Sequence, residues 1–344
     1  MDKGLNPALV RWLRDFYVNV EKALAAGFIA TPTNAREFLA GLTRRHVAFI
    51  PDVASVLDDL APGGAFRHHP SKPRKPRWPV PDALAPGDDF QVPLRIYHPD
   101  PGKDLPVLLY FHGGGHMCGS VTVYDPICRR LALAAKHIVV AADYRLAPEN
   151  PWPAGVNDAL SVARSVWSVL ERRRLNFQKE LSIAGDSAGG ALCATLSDLA
   201  RFEPGLTIKR QALIYPSLDY TLSLPSVEEN AKGYLLEKEK IEWYFNNYLP
   251  AGTDREKVSP LFGEFTDELP ETLVLTAEYC PLRDEGSAYH KKLVAAGVRS
   301  ELVNFADMIH TYICMEDIVP DACRKTYALL DVFLNGKKGV LTHK

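Results

Sequence analysis

The residue with the clearest capacity for chemistry is Ser187, in Gly185-Asp186-Ser187-Ala188-Gly189. An apolar run at 181–184 leads into this turn, and a helical run from about 190 leaves it. That is the G-x-S-x-G elbow in its strand–turn–helix setting, in which a sharp turn lifts the hydroxyl clear of the sheet. The flanking glycines let the chain bend tightly and let neighbouring backbone approach. The turn also sets Ser187 at a helix N-terminus, where free N–H groups favour developing negative charge.

A second motif, Phe111-His112-Gly113-Gly114-Gly115-His116, follows another apolar run. Three successive glycines leave backbone N–H groups unshielded, as acyl transfer requires where a carbonyl oxygen becomes an oxyanion. Gly114 and Gly115, with Ala188 after the nucleophile, are the expected donors. His310 lies downstream, after the last strand-like run, where a general base belongs in chain order.

These motifs need a scaffold. Runs at 90–97, 107–111, 138–142, 181–184, 212–215, 273–276 and 301–305 read as strands, several of them near-continuously apolar. Helical runs at 126–135, 156–173, 190–202, 283–296 and 322–334 alternate with them. That alternation predicts an α/β fold with a mostly parallel central sheet and helices on both faces. Apolar spacing over 5–27 and 34–47 predicts two N-terminal helices. The stretch 217–260 interrupts the alternation, is rich in aromatics and reads as a helical cap insertion that packs with the N-terminal helices over the strand ends. The division expected is 1–80 for the N-terminal cap helices and linker, and 81–344 for the catalytic domain. The run at 67–80 is dense in proline and basic groups and reads as a solvated connector.

The motifs together resemble the hormone-sensitive-lipase-like family of α/β-hydrolases, which includes arylacetamide deacetylase and bacterial carboxylesterases. Beyond the His-Gly-Gly-Gly stretch and the Ser187 elbow, the likeness runs through Asp143-Tyr144-Arg145-Leu146-Ala147-Pro148-Glu149, Tyr215-Pro216, Ser259-Pro260, Pro281-Leu282-Arg283-Asp284-Glu285-Gly286 and Met308-Ile309-His310. It covers about 90–335, with 1–80 in the place of the family's variable cap. The resemblance implies an α/β-hydrolase fold and a serine carboxylesterase acting on short to medium acyl or aryl esters through an acyl-enzyme on Ser187. It implies neither metal nor organic cofactor, and a family in which homodimers are common.

One position departs from the pattern. Where the family carries the aspartate of Asp-Pro-Leu-Arg-Asp-Glu-Gly, this chain has Cys280. In related triads the acid holds the imidazole tautomer and stabilises imidazolium, and its loss costs about 10⁴ in turnover. Four readings stand open: a substitute carboxylate (Asp284, one helical turn on, or Asp307 or Glu278), Cys280 itself as a weak acceptor or thiolate, a pocket turned from hydrolysis to non-hydrolytic binding or lyase chemistry, or an introduced substitution. A weakened or rescued hydrolase ranks ahead of a repurposed pocket. His116 stands where the family often has an aromatic or small residue, and Asp143, Tyr144 and Glu149 read as braces for the glycine loop.

The bulk properties agree. The 344 residues are 47% hydrophobic and 24% charged, with a net charge of −2, which gives no electrostatic reason to expect nucleic acid. No run approaches the length of a transmembrane helix, so no membrane insertion is expected. The six cysteines form no CxxC pair and have no zinc-ligand spacing. Met1-Asp2-Lys3-Gly4 leads into a charged amphipathic stretch, so the expectation is a cytoplasmic protein with reduced thiols and a small-molecule ester as its partner.

Overall fold

Among the described residues, eight strands form one sheet in the order β1-β2-β4-β3-β5-β6-β7-β8. The computed structural model describes residues 4–47, 50–62 and 90–337. The strands are β1 (Ser55–Ala61), β2 (Val92–His98), β3 (Leu105–Phe111), β4 (Ile138–Ala142), β5 (Phe177–Asp186), β6 (Arg210–Ile214), β7 (Glu271–Tyr279) and β8 (Ser300–Ile309). β1 and β2 run antiparallel, as do β2 and β4; from β4 to β8 all pairings are parallel. The parallel core needs cover on both faces, which is why β4, Ile-Val-Val-Ala-Ala, is buried throughout.

Among the described residues, ten α-helices accompany the sheet: α1 (Pro7–Ala25), α2 (Pro32–His46), α3 (Asp125–Ala135), α4 (Ala154–Arg172), α5 (Ala188–Ala200), α6 (Pro225–Glu229), α7 (Lys238–Tyr248), α8 (Arg255–Val258), α9 (Arg283–Ala295) and α10 (Pro320–Leu334). α3 packs with α10, and α4 with α5. α5 is buried along its whole length, so its run of small and apolar residues reflects close helix–sheet packing rather than amphipathic display.

The N-terminal helices begin where side chains can satisfy their first N–H groups. Asn6 accepts from Ala8 N with Pro7 in the first turn, and Thr31 and Asn34 form a reciprocal capping box ahead of α2. These helices reach the aromatic insertion: the Tyr17 hydroxyl donates to Glu237 at 2.8 Å and accepts from Leu235 N at 3.1 Å.

β1 was not expected from sequence. Ser-Val-Leu-Asp-Asp-Leu-Ala lacks clean alternation because both aspartates serve ion pairs across the sheet edge, Asp58 with Arg95 and Asp59 with Arg172 and Arg173. The basic proline-rich connector at 67–80 lies outside the described residues.

Candidate active site

The site is assembled from loops at the carboxyl ends of the parallel strands, the usual place for ligands in open α/β sheets. β5 ends at Asp186 and α5 begins at Ala188, which leaves Ser187 alone in the turn at φ +53°, ψ −117°. A non-glycine residue in that region is strained and persists only where its surroundings hold it. Two backbone bonds do so: Ser187 N donates to Ile214 O at 2.8 Å, and Ser217 N to Ser187 O at 3.1 Å. Gly189 has to be glycine, because a Cβ there would collide with the carbonyl of Phe111.

β8 delivers His310 one residue past Ile309. Its Nε2 lies 2.9 Å from Ser187 Oγ, and its Nδ1 lies 3.1 Å from Cys280 Sγ. Cys280 follows directly on β7, and its sulfur also accepts from Leu282 N at 3.3 Å. The structure thus brings Ser187, His310 and Cys280 into one chain of contacts. Burial pulls the His310 pKa down to about 3, so the imidazole is neutral across the ordinary pH range. Burial pushes the Cys280 thiol far above its usual range, so the sulfur is a neutral thiol rather than a thiolate.

The substitute carboxylates are engaged elsewhere. Asp284 accepts from Ser226 N at 3.0 Å and from Arg283 Nε at 2.9 Å. Glu278 binds Arg283 at 2.9 Å and Asn304, and Asp307 accepts from Asn6 Nδ2 at 3.3 Å. Among the described residues, no carboxylate bonds to His310. Asp284, named above as a possible substitute acid, is thus placed away from His310. In the first turn of α9 its carboxylate faces α6 and its own Arg283, and the register that puts it a turn above Cys280 does not carry it to the imidazole.

The glycine loop runs from His112 to Cys118 beside Ser187. Gly114 O accepts from Met117 N at 3.0 Å and from Cys118 N at 2.8 Å. Gly115 sits at φ +61°, and a Cβ there would lie 2.5 Å from the Tyr244 ring. Tyr244 of α7 thus packs directly on the loop. His116 stacks on Tyr248 with centroids 3.7 Å apart and meets the Tyr220 hydroxyl at 3.2 Å. Burial holds His116 neutral, with its pKa lowered to about 3. Among the described residues the N–H groups of Gly114 and Gly115 donate to no other group. Ala188, the first residue of α5, has an N–H that the helix itself leaves unpaired.

Several further residues, not marked by the sequence motifs as part of the site, support it. Asp186, the variable residue of the elbow, is a buried hub. It accepts from Tyr110 and Gly113 N, both at 2.8 Å, and from Tyr124 at 3.0 Å, tying the elbow to the glycine loop. Burial raises its pKa to about 6 against the lowering effect of those three donors. Glu285 is buried and accepts from the N–H groups of Leu218 and Asp219, which anchors the start of the aromatic insertion. An acid inside an otherwise apolar and glycine-rich stretch was the available signal for Asp186; Glu285, next to Arg283 and Asp284, carried no such signal.

A family model described as alpha/beta hydrolase fold matches residues 108–314. The chain belongs to the hormone-sensitive-lipase-like family of α/β-hydrolases. This α/β-hydrolase is 38% identical to Carboxylesterase NlhH of Mycobacterium tuberculosis over 244 residues, covering 68% of this chain and 75% of that one. It is 36% identical to the ethyl acetate hydrolase of Pseudomonas putida over 247 residues, 70% of this chain and 77% of that one. Among solved structures, the hyperthermophilic esterase of Pyrobaculum calidifontis superposes with a TM-score of 0.80 at 30% identity, covering 96% of this chain and 98% of that one. The α/β-hydrolase is accordingly a carboxylic ester hydrolase. The non-hydrolytic reading draws no support from these relatives. No described helix is long and apolar enough to cross a membrane.

Proposed function

We propose that the chain hydrolyses short to medium acyl or aryl esters through an acyl-enzyme on Ser187, with a neutral thiol in the place of the usual acid. The observation that carries this is the 2.9 Å contact between His310 Nε2 and Ser187 Oγ, with the other ring nitrogen against Cys280 Sγ. For His310 to accept the Ser187 proton, Nδ1 must carry the ring hydrogen. Cys280 Sγ can accept that hydrogen, as it accepts the N–H of Leu282.

The reaction then runs in two halves. Ser187 Oγ attacks the acyl carbon while His310 takes its proton, and the charge that develops on the carbonyl oxygen meets the N–H groups of Gly114, Gly115 and Ala188. His310 returns the proton to the leaving alcohol. Water, activated by the same nitrogen, releases the acid and restores Ser187. Imidazolium forms in both halves opposite a neutral sulfur, so its stabilisation is weaker than with a carboxylate.

The preference for small acyl groups is supported by Tyr244, which packs on Gly115, and by the Tyr220–Tyr248–His116 cluster beside it. A relative named for ethyl acetate points the same way. Six unpaired, buried thiols fit the cytoplasm as compartment. A homodimer would use the outer edge of β8, which has no strand partner among the described residues.

The test is turnover of p-nitrophenyl acetate and butyrate, with fluorophosphonate labelling, in the wild-type chain and in Ser187→Ala. Turnover and labelling that vanish in the variant support the reading; a wild-type chain that neither turns over nor labels overturns it.

A further inference from the structure

We infer that Arg36, in helix α2, is a positioning residue for the oxyanion site, so that docking of the N-terminal helices and aiming of the Gly115 N–H are one event. The inference rests on the proposed role of Gly115 as an oxyanion donor.

Arg36 lies far from the glycine loop in sequence, but its guanidinium bridges that loop and the Ala147–Glu149 segment. Its Nε donates to Met117 O at 2.7 Å, and one Nη donates to Ala147 O at 2.9 Å. Both Nη atoms hold Glu149, at 2.6 and 3.0 Å. The two carbonyls belong to segments that are themselves joined, because Ala147 N donates to His116 O at 2.9 Å. Arg36 therefore closes a ring of hydrogen bonds that runs through Met117, His116 and Ala147.

That ring bears on one peptide unit. Met117 N and Cys118 N both donate to Gly114 O, which fixes the direction of the Gly114 carbonyl. A trans peptide is planar, so its C=O and N–H point in opposite directions. Fixing Gly114 O therefore fixes the aim of Gly115 N–H, which belongs to the same unit. With no Cβ at Gly114 or Gly115, local sterics restrain this peptide weakly, and it needs an external hold. Arg36 provides one by gripping Met117, whose own N–H is on Gly114 O. A planar fork with five donors suits two carbonyls and a carboxylate at once, which a lysine ammonium does not.

The Glu149 pair is half exposed, with side-chain exposures of 34% for Arg36 and 57% for Glu149, so by itself it contributes little. The carbonyl bonds carry the positioning.

The experiment uses the full chain with Arg36→Met, Arg36→Lys and Glu149→Gln, comparing kcat and KM for p-nitrophenyl acetate and the affinity of an aryl trifluoromethyl ketone. That ketone adds Ser187 across its carbonyl and places an oxyanion where the transition state does, so its affinity reports the aim of the donors. Removing a whole donor lowers kcat by about 10²–10³. A misaimed one is expected to lower kcat about 10- to 100-fold in Arg36→Met, with KM within about threefold and ketone affinity falling in parallel with kcat/KM. Arg36→Lys is expected in between, and Glu149→Gln within about threefold of wild type. Phosphonate titration of Ser187 and thermal melting establish that each variant is folded, and the ratio Arg36→Lys to wild type carries the test if Arg36→Met is not. Loss in Glu149→Gln equal to that in Arg36→Met overturns the inference, as does a fall in kcat with unchanged ketone affinity. A wild-type chain without Ser187-dependent turnover or labelling overturns the function reading and this inference with it. Wild-type turnover with unchanged Arg36 variants overturns this inference alone.

Discussion

Replacing Cys280 with aspartate is expected to raise kcat by about 10²–10³. Cys280 Sγ already lies 3.1 Å from His310 Nδ1, and Leu282 N already points at it from 3.3 Å, so a carboxylate there meets two donors. A unit negative charge about 4 Å from the imidazolium is worth about 4 kcal/mol at an effective dielectric of about 20. Desolvating the new carboxylate removes part of that and leaves about 3–4 kcal/mol, which at about 1.4 kcal/mol per factor of ten gives the stated range. The pH profile moves as well. In the wild type His310 is neutral down to about pH 3, so kcat/KM for a non-ionising ester should stay flat from pH 7 to pH 5. An adjacent carboxylate favours the protonated ring, raises its pKa and brings the acid limb to higher pH. The assay is steady-state hydrolysis of p-nitrophenyl butyrate from pH 4.5 to 8, with Cys280→Ala as a third arm. Cys280→Ala removes the acceptor and should lower kcat about tenfold or more. A gain below tenfold in Cys280→Asp would mean that the wild-type site lacks no stabilisation that a charge supplies.

The carboxylate of Asp284 is bound to Ser226 N and Arg283, so Asp284→Asn should keep kcat within about threefold; a hundredfold loss would restore it as the acid. Gly115→Ala places a methyl 2.5 Å from the Tyr244 ring at a left-handed φ, and kcat should fall at least about tenfold, measured with the same ester. Asp186 has a folded pKa of about 6 against an ordinary 3.8, so its contribution to stability is fully present below pH 3.8 and is lost as pH rises through 6. Asp186→Asn removes that titration while keeping an acceptor for Tyr110 and Gly113; its urea-unfolding stability relative to wild type should therefore rise from pH 4 to pH 7, and a pH-independent difference would contradict the burial argument.

The parts legible in the sequence were those written as local patterns. The runs at 138–142 and 181–184 mark central strands because burial on both faces favours apolar residues, with Ser182 the one polar side chain among them. The elbow was legible because a sharp turn demands glycine beside Ser187. The first strand was not, since Asp58 and Asp59 break the pattern to serve arginines distant in sequence. Arg36 was equally opaque: its partners Met117, Ala147 and Glu149 are set by tertiary docking, and its local context is an ordinary helix. Asp284 shows the limit of arguing from helical register alone. Spacing places residues on a common face, but competing donors, here Ser226 N and Arg283, decide where a carboxylate points.

The thiol at Cys280 separates two functions that one aspartate combines. An amide in this position can turn its NH₂ toward the imidazole and force the wrong tautomer, which accounts for much of the cost of about 10⁴ when the acid is replaced that way. Sulfur accepts N–H, and with Leu282 N already on it Sγ can hold His310 in the productive tautomer. On the proposed mechanism, with Nδ1–H donating to Sγ, what Cys280 lacks is charge rather than orientation, and charge matters most where imidazolium is most developed. Esters with poor leaving groups need the proton from His310 to depart, whereas aryl alcohols leave with little help. The wild-type chain should therefore favour p-nitrophenyl acetate over ethyl acetate more steeply than Cys280→Asp does, by about tenfold or more in the ratio of kcat/KM values. Equal ratios in the two proteins would mean that the thiol limits a step the leaving group does not feel, such as deacylation, and would refute the separation of orientation from charge argued for Cys280.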